Sequence, residues 1–292
     1  MTAISAKDIM TLRVRTSAGM MDAKRALQEA SGDMEKAAEL LRQWGAGRAD
    51  AKMSNEMKEG LIGGKIGHDG KVGVLVRLSS QTDFVARNEA FIKILHDLVE
   101  LAFANKVDTP AELNVLAWPD GSGRSVENVV KELAGGTIKE NMAITGVARF
   151  ESTGGPGEVG RYVHHNDKVG ALVQVDGGGG DVVRILAREL AMHITAGMPF
   201  VPIAISRDKV DSAILEREKR IAAEGIAGKP PLLADKIIAG RLEKFFADNV
   251  LLEQPFVKDE KKRIRDILAD ASRAVSAKLE IIRFARFKVG EV

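Results

Sequence analysis

Cysteine is absent from the 292 residues, which excludes disulfides, thiolate metal sites and a cysteine nucleophile. An excess of one charge is absent too. The 43 basic and 41 acidic residues leave a formal net charge of +2, so no strong field for nucleic acid or an anionic membrane is expected. No apolar run is long enough to span a membrane, and Met1–Asp8 lacks a basic stretch followed by an apolar one. A cytoplasmic protein making no membrane contact and no direct nucleic-acid contact is the expectation. Signatures of catalysis are also missing: there is no Gly-x-Ser-x-Gly elbow and no His-Glu-x-x-His. Gly63-Gly64-Lys65 fails as a phosphate loop, because Glu59 stands where the first glycine must be and Ile66 where Ser or Thr would reach magnesium. His164-His165-Asn166-Asp167 is a poor metal site, since neighbouring side chains on a strand point to opposite faces. Neither an enzyme, a cofactor nor a metal is expected.

The patterning that is present predicts an α+β chain of several parts. Residues 1–45 carry three short helical patterns, the third opening at Asp33 as N-cap and placing Met34, Ala37, Ala38, Leu41 and Trp44 on one face. They predict a three-helix bundle. Of the adjacent Met20 and Met21, one should face the bundle core and one the solvent. Residues 46–58 lose the apolar period and predict a linker or a weakly held helix. Residues 59–140 predict a first α+β subdomain, with a hairpin turning at His68-Asp69-Gly70 and a buried strand from Val72 to Leu78. Residues 141–292 predict a second. Inserted in it, at about 206–249, is an antiparallel helical hairpin with inward Val210, Ile214 and Ile221 facing Ile238, Leu242 and Phe245, turning at Gly225–Pro230. A helix near Lys261–Val275 and a strand over Ile281–Val289 close the chain. The hairpin is expected either to contact a partner or to stand as a self-stabilised insertion.

An internal repeat organises the two subdomains. Lys71–Val76 aligns with Lys168–Val173, an offset of 97 (168 − 71), and Ile92–Leu95 with Val183–Leu186, an offset of 91 (183 − 92). The first copy therefore carries six extra residues (97 − 91) in the turn containing Thr82-Asp83-Phe84-Val85, where the second has Asp176-Gly177-Gly178-Gly179-Gly180. Asp176 and Asp181 bracket those glycines and would repel an anion. An extension found in one copy only is not needed to close the shared fold, which favours a functional Phe84 over a core filler.

The stretches Leu12–Leu27 (LRVRTSAGMMDAKRAL) and Gln81–Val85 (QTDFV) resemble the two signature motifs of bacterial translation elongation factor Ts, and the likeness extends over nearly the whole chain. Arg77, where that family usually has an acidic residue, and Ser79-Ser80, where it often has Asn-Cys, depart from the pattern but precede the Thr-Asp-Phe-Val core. The resemblance implies a ubiquitin-associated-like fold for the bundle, presenting the Ser17-Ala18-Gly19-Met20 loop to a partner. It implies nucleotide exchange on the GTPase elongation factor Tu, with Thr82, Asp83, Phe84 and Val85 dislodging magnesium. Further partner contacts are implied at Gly19, Met20, Lys24, Ile138 and His164. A scaffold or adapter that recruits a partner through the bundle without altering its nucleotide is the alternative.

Overall fold

The computed structural model describes residues 4–16, 18–52, 56–225 and 230–291. Helices α1 (Ala6–Thr16), α2 (Met20–Glu29) and α3 (Met34–Lys52) form the bundle. Their starts follow local capping: Ser5 and Asp8 exchange side-chain and backbone hydrogen bonds at α1, and Asp33 Oδ1 accepts from the Glu35 and Lys36 amides at α3. Leu12, Ala23, Ala26, Leu27, Ala37 and Leu41 make the core, flanked by Met34 and Trp44.

The expected linker is largely helical. α3 runs on to Lys52, while 53–55 lie outside the described residues. Gly45 of α3 meets Gly135 so closely that a Cβ on Gly135 would sit 1.7 Å from the Gly45 carbonyl oxygen. A side chain at position 135 would push the bundle off the rest of the molecule.

The first subdomain comprises hairpin strands β1 (Glu59–Ile66) and β2 (Val72–Ser80), then α4 (Asp83–Ala86), α5 (Glu89–Asn105), α6 (Pro110–Val115), α7 (Val126–Leu133), a π turn over Ala134–Ile138 and strand β3 (Met142–Glu151). β3 corrects the expected boundary at 140/141. It hydrogen-bonds β2 antiparallel along its length, completing the first sheet in the order β1-β2-β3. The second subdomain repeats this plan with β4 (Gly157–Val163), β5 (Val169–Asp176) and α8 (Asp181–Ala196). The hairpin helices α9 (Ser212–Ala223) and α10 (Pro231–Asn249) follow, then β6 (Pro255–Phe256), β7 (Asp259–Arg263), α11 (Ile264–Ala274) and β8 (Glu280–Lys288). Its main sheet has the order β4-β5-β8.

The two sheets stack face to face with helices outside. Leu75 of β2 and Leu172 of β5 point into a shared seam with Ile62, Phe150 and Val159. Val74, Val76 and Leu78 face α5, and Ala171, Val173 and Val175 face α8. Burial on both faces is why β2 and β5 read as continuous apolar runs rather than alternating ones. The repeat extends to an irregularity. Each ladder shifts register at one point, between Arg77 and Leu78 in the first sheet and between Gln174 and Val175 in the second, 97 positions apart (174 − 77).

The helices correct the expected offset. The buried residues Phe91, Ile94, Leu95, Leu98, Val99 and Ala102 of α5 match Val183, Leu186, Ala187, Leu190, Ala191 and Ile194 of α8 at an offset of 92 (183 − 91). The first copy therefore has five extra residues (97 − 92), not six. They fall where expected: past the equivalent positions Ser80 and Gly177, Gln81–Asn88 leads to the helix in the first copy and Gly178–Gly180 in the second. In the second copy the Gly180 amide at the start of α8 donates to the Glu158 carboxylate at 3.0 Å, so a side-chain anion of the chain itself occupies that helix start.

The hairpin arms are antiparallel. Ile214, Leu215, Phe245 and Phe246 pack together at the base around buried Val210 and Val250, and Arg241 binds the Ala222 carbonyl nearer the tip. Two details of the expected stripe change: Val210 precedes α9, and Ile221 is exposed while Ala222 turns inward. The turn at 226–229 lies outside the described residues.

Candidate interaction site at the Phe84 turn

β2 ends at buried Ser79 and Ser80, and the chain turns at Thr82, whose extended backbone leads into the single helical turn α4. Two backbone bonds close it, Arg87 N–H to Phe84 C=O at 3.2 Å and Asn88 N–H to Val85 C=O at 2.9 Å. Asn88 then starts α5, its side chain accepting the Ala90 amide at 2.9 Å. So short a helix is unstable alone, and two sets of contacts hold it. Val85 and Ala86 are buried against the first core, at 6% and 4% exposure. On the polar side, the Thr82 hydroxyl lies 3.0 and 2.9 Å from the two Glu140 carboxylate oxygens. Gln81 Oε1 accepts the Asn141 amide at 2.7 Å, and Ser80 Oγ donates to the Thr82 carbonyl at 3.1 Å.

Phe84 points away from all of this. It is 78% exposed, on a turn whose neighbouring residues are fixed. Leaving a Phe ring in water forgoes roughly 1.5–3 kcal/mol of burial energy. Asp83 is half-buried and accepts from Arg87 Nη2 at 3.1 Å, an ion pair within the turn.

The elongation factor Ts family profile matches residues 81–291, beginning at this turn. The chain belongs to the elongation factor Ts family. The elongation factor Ts of Chloroherpeton thalassium is 38% identical over the full length of both chains. That of Aquifex aeolicus is 38% identical across 99% of this chain and 98% of its own. That of Chlorobium phaeobacteroides is 35% identical across 99% and 100%. Membership places the chain among the elongation factors of protein biosynthesis.

The other expected contact residues of this elongation factor Ts chain fall into distinct settings. Gly19 caps α2, and Met20 and Lys24 are exposed on it. Met21 is exposed as well, at 74% against 47% for Met20, so neither methionine fills the bundle core. Buried Ala18, Ala23, Ala26 and Leu27 take those places. Ser17 lies outside the described residues. Ile138 is half-buried at the end of the π turn, packed against the first core. His164 is half-buried in the β4–β5 turn, with Nδ1 3.1 Å from Asn166 Oδ1. Its ring stacks on His165 with centroids 4.1 Å apart, so the two side chains do not diverge as they would on a strand. Among the described residues no third metal-ligating side chain joins them.

Contacts link these settings. Lys139 Nζ lies 3.6 Å from Asp22 of α2, and the next residue, Glu140, holds Thr82. Lys168, beside the His164 turn, bonds Glu59 Oε2 at 2.7 Å and the Gly60 carbonyl at 2.9 Å, and Glu59 pairs with Ser80 at the end of β2. Lys139, Glu140 and Asn141, which do this linking together with Gln81 and Asp22 of the two signature stretches, carry no signal in the sequence. The sequence also leaves Arg77 unexplained. The Arg77 guanidinium bonds Thr145 of β3 and the Lys288 and Glu291 carbonyls at the C-terminal end, locking the two subdomains together. Burial lowers its pKa, against a smaller opposing effect of Glu291. Among the described residues no helix is long and apolar enough to cross a membrane.

Proposed function

We propose that this chain is a guanine nucleotide exchange factor for elongation factor Tu, and that Phe84 is the wedge it uses. One observation carries the reading: a large apolar ring stands exposed on a buttressed turn that the second copy of the same fold lacks. A GTPase holds its nucleotide through a phosphate loop, a magnesium ion and switch segments. A partner loosens that grip only by binding the loosened state better. Burying the Phe84 ring in a GTPase pocket that opens in that state supplies roughly 1.5–3 kcal/mol, or about 10- to 150-fold in the equilibrium. Asp83, at the front of the turn, exchanges Arg87 for groups near the magnesium site, and the ion is displaced. Thr82 and Val85 act from behind, fixing the turn to its own subdomain. Gly19, Met20 and Lys24 on the bundle, Ile138 at the end of the π turn and His164 on the second subdomain grip other surfaces of the GTPase. No covalent bond forms or breaks, so the chain is not an enzyme and needs no cofactor, and it acts in the cytoplasm as a translation factor.

The test is competition. Coupling between two ligands of one protein is reciprocal, so a factor that weakens GDP binding is itself weakened by GDP. The complex with nucleotide-free elongation factor Tu should dissociate on adding excess GDP. A complex equally tight with and without GDP supports the adapter reading instead.

A further inference from the structure

Thr82 of the Phe84 turn and Asp22 of the N-terminal bundle are 60 positions apart in sequence (82 − 22), yet each is fastened to residues 139–141. Glu140 accepts the Thr82 hydroxyl with its carboxylate oxygens, at 3.0 and 2.9 Å, and the Asn141 amide donates to Gln81 Oε1 at 2.7 Å. Lys139, in the left-handed conformation that ends the π turn, sits 3.6 Å from Asp22 and close to Gly19. Immediately upstream, Gly135 carries Gly45 of α3 in backbone contact.

We propose that Glu140 is a positioning residue for the Phe84 wedge, and that residues 139–141 form a strut setting its distance from the bundle; this rests on the exchange-factor reading. A helix of four residues such as α4 cannot hold its orientation alone. Val85 and Ala86 fix its inner face, but a turn pinned on one face can still roll about it. Glu140 and Asn141 pin the strand side, at the residues where the chain enters the turn. A charged acceptor holding a hydroxyl is the stronger kind of hydrogen bond. Displacing a reacting group by about 1 Å can cost on the order of 100-fold in rate, so a wedge loosened by one lost hydrogen bond should work more slowly while binding nearly as well.

The experiment uses the full chain with Glu140→Ala, Glu140→Gln, Thr82→Val and Phe84→Ala. Hydrogen exchange in the free protein should show the Arg87 and Asn88 amides exchanging about tenfold faster in Glu140→Ala and Thr82→Val, with the amides of α5 unchanged. In GDP release from elongation factor Tu, the same two variants should lower the maximal rate about fivefold, with the half-saturating concentration within about twofold of wild type. Glu140→Gln keeps an acceptor oxygen and should recover most of both. If Glu140→Ala fails to fold, Thr82→Val reads the same bond from its other end. Faster amide exchange without slower GDP release, slower release without faster exchange, or no recovery in Glu140→Gln would each overturn the proposal. Should Phe84→Ala release GDP at the wild-type rate, the wedge reading itself falls, and the positioning of the turn is then decided on amide exchange alone.

Discussion

His193 Nε2 lies 3.0 Å from Gln254 Oε1, inside the second subdomain. Gln254 spends its Nε2 protons on the Phe200 and Asp248 carbonyls, at 2.8 and 2.7 Å, so its oxygen faces the imidazole as an acceptor. His193 therefore donates from Nε2 and accepts the Val257 amide at Nδ1, 3.3 Å away. The neutral ring fits this site and the imidazolium does not. Burial lowers the His193 pKa from its ordinary 6.5, outweighing the opposing effect of the hydrogen bond it donates to Gln254.

A pH prediction follows from the sign of that shift. The unfolded chain protonates His193 near 6.5 and the folded chain only at lower pH, so the folded state binds fewer protons between those values. Stability should be full above about pH 6.5 and fall as pH drops toward the lowered folded value. Urea midpoints at pH 7.5 and 5.5 check this. His193→Gln should flatten the change across that window, and an undiminished loss there in the variant would assign it to other groups.

Phe84→Ala should change folding stability by less than about 1 kcal/mol, because the ring is exposed. Phe91→Ala, in the same subdomain and fully buried, should cost roughly 3–5 kcal/mol. Denaturant titration of the two variants side by side separates these values. Equal losses would place Phe84 in the core.

Gly135→Ala should undock the bundle. Its Cβ would strike the Gly45 carbonyl, which is backbone and cannot rotate aside. The expected cost is about 1–3 kcal/mol, seen as new protease cleavage between α3 and β1 while the two sheets keep their cooperative unfolding. Cleavage unchanged from wild type would show that the backbones part without loss of docking.

Removing the outer arm, Glu216–Leu242, and joining its ends through a short flexible linker should leave the rest folded, since surface insertions cost mainly loop entropy. Removing Asp208–Asn249 should be more damaging. That cut takes Val210, Phe245 and Phe246 from the base cluster, and Glu243 from the Arg207 guanidinium, which also binds Glu253. Thermal unfolding of both deletions checks this, and equal midpoints would contradict it.

Local features were legible in the sequence. Asp33 caps α3 through bonds to residues two and three positions on, so its role is visible in a short window. β2 and β5 announced their burial through unbroken apolar runs, and the extra loop in one copy pointed to an exposed Phe84. Long-range features were not legible. Thr82 and Glu140 meet across 58 positions, with nothing in either neighbourhood to name the other. β3 is an apolar strand that reads equally well in either sheet, and only its hydrogen bonds to β2 assign it. The helix offset failed because Ile92–Leu95 resembles Val183–Leu186 in letters, while packing aligns Phe91 with Val183 and leaves Ile185 in solvent. The docking of α3 through Gly45 onto Gly135 of the π turn is likewise a tertiary contact that no local window shows.

The most direct test of the wedge is the release of labelled GDP from elongation factor Tu at saturating concentrations of this protein, with wild type and Phe84→Ala measured in parallel. Wild type should accelerate release well above the intrinsic rate. Phe84→Ala should bind nucleotide-free elongation factor Tu only modestly more weakly and yet lose most of the acceleration. A folded Phe84→Ala protein that releases GDP as fast as wild type would contradict the account.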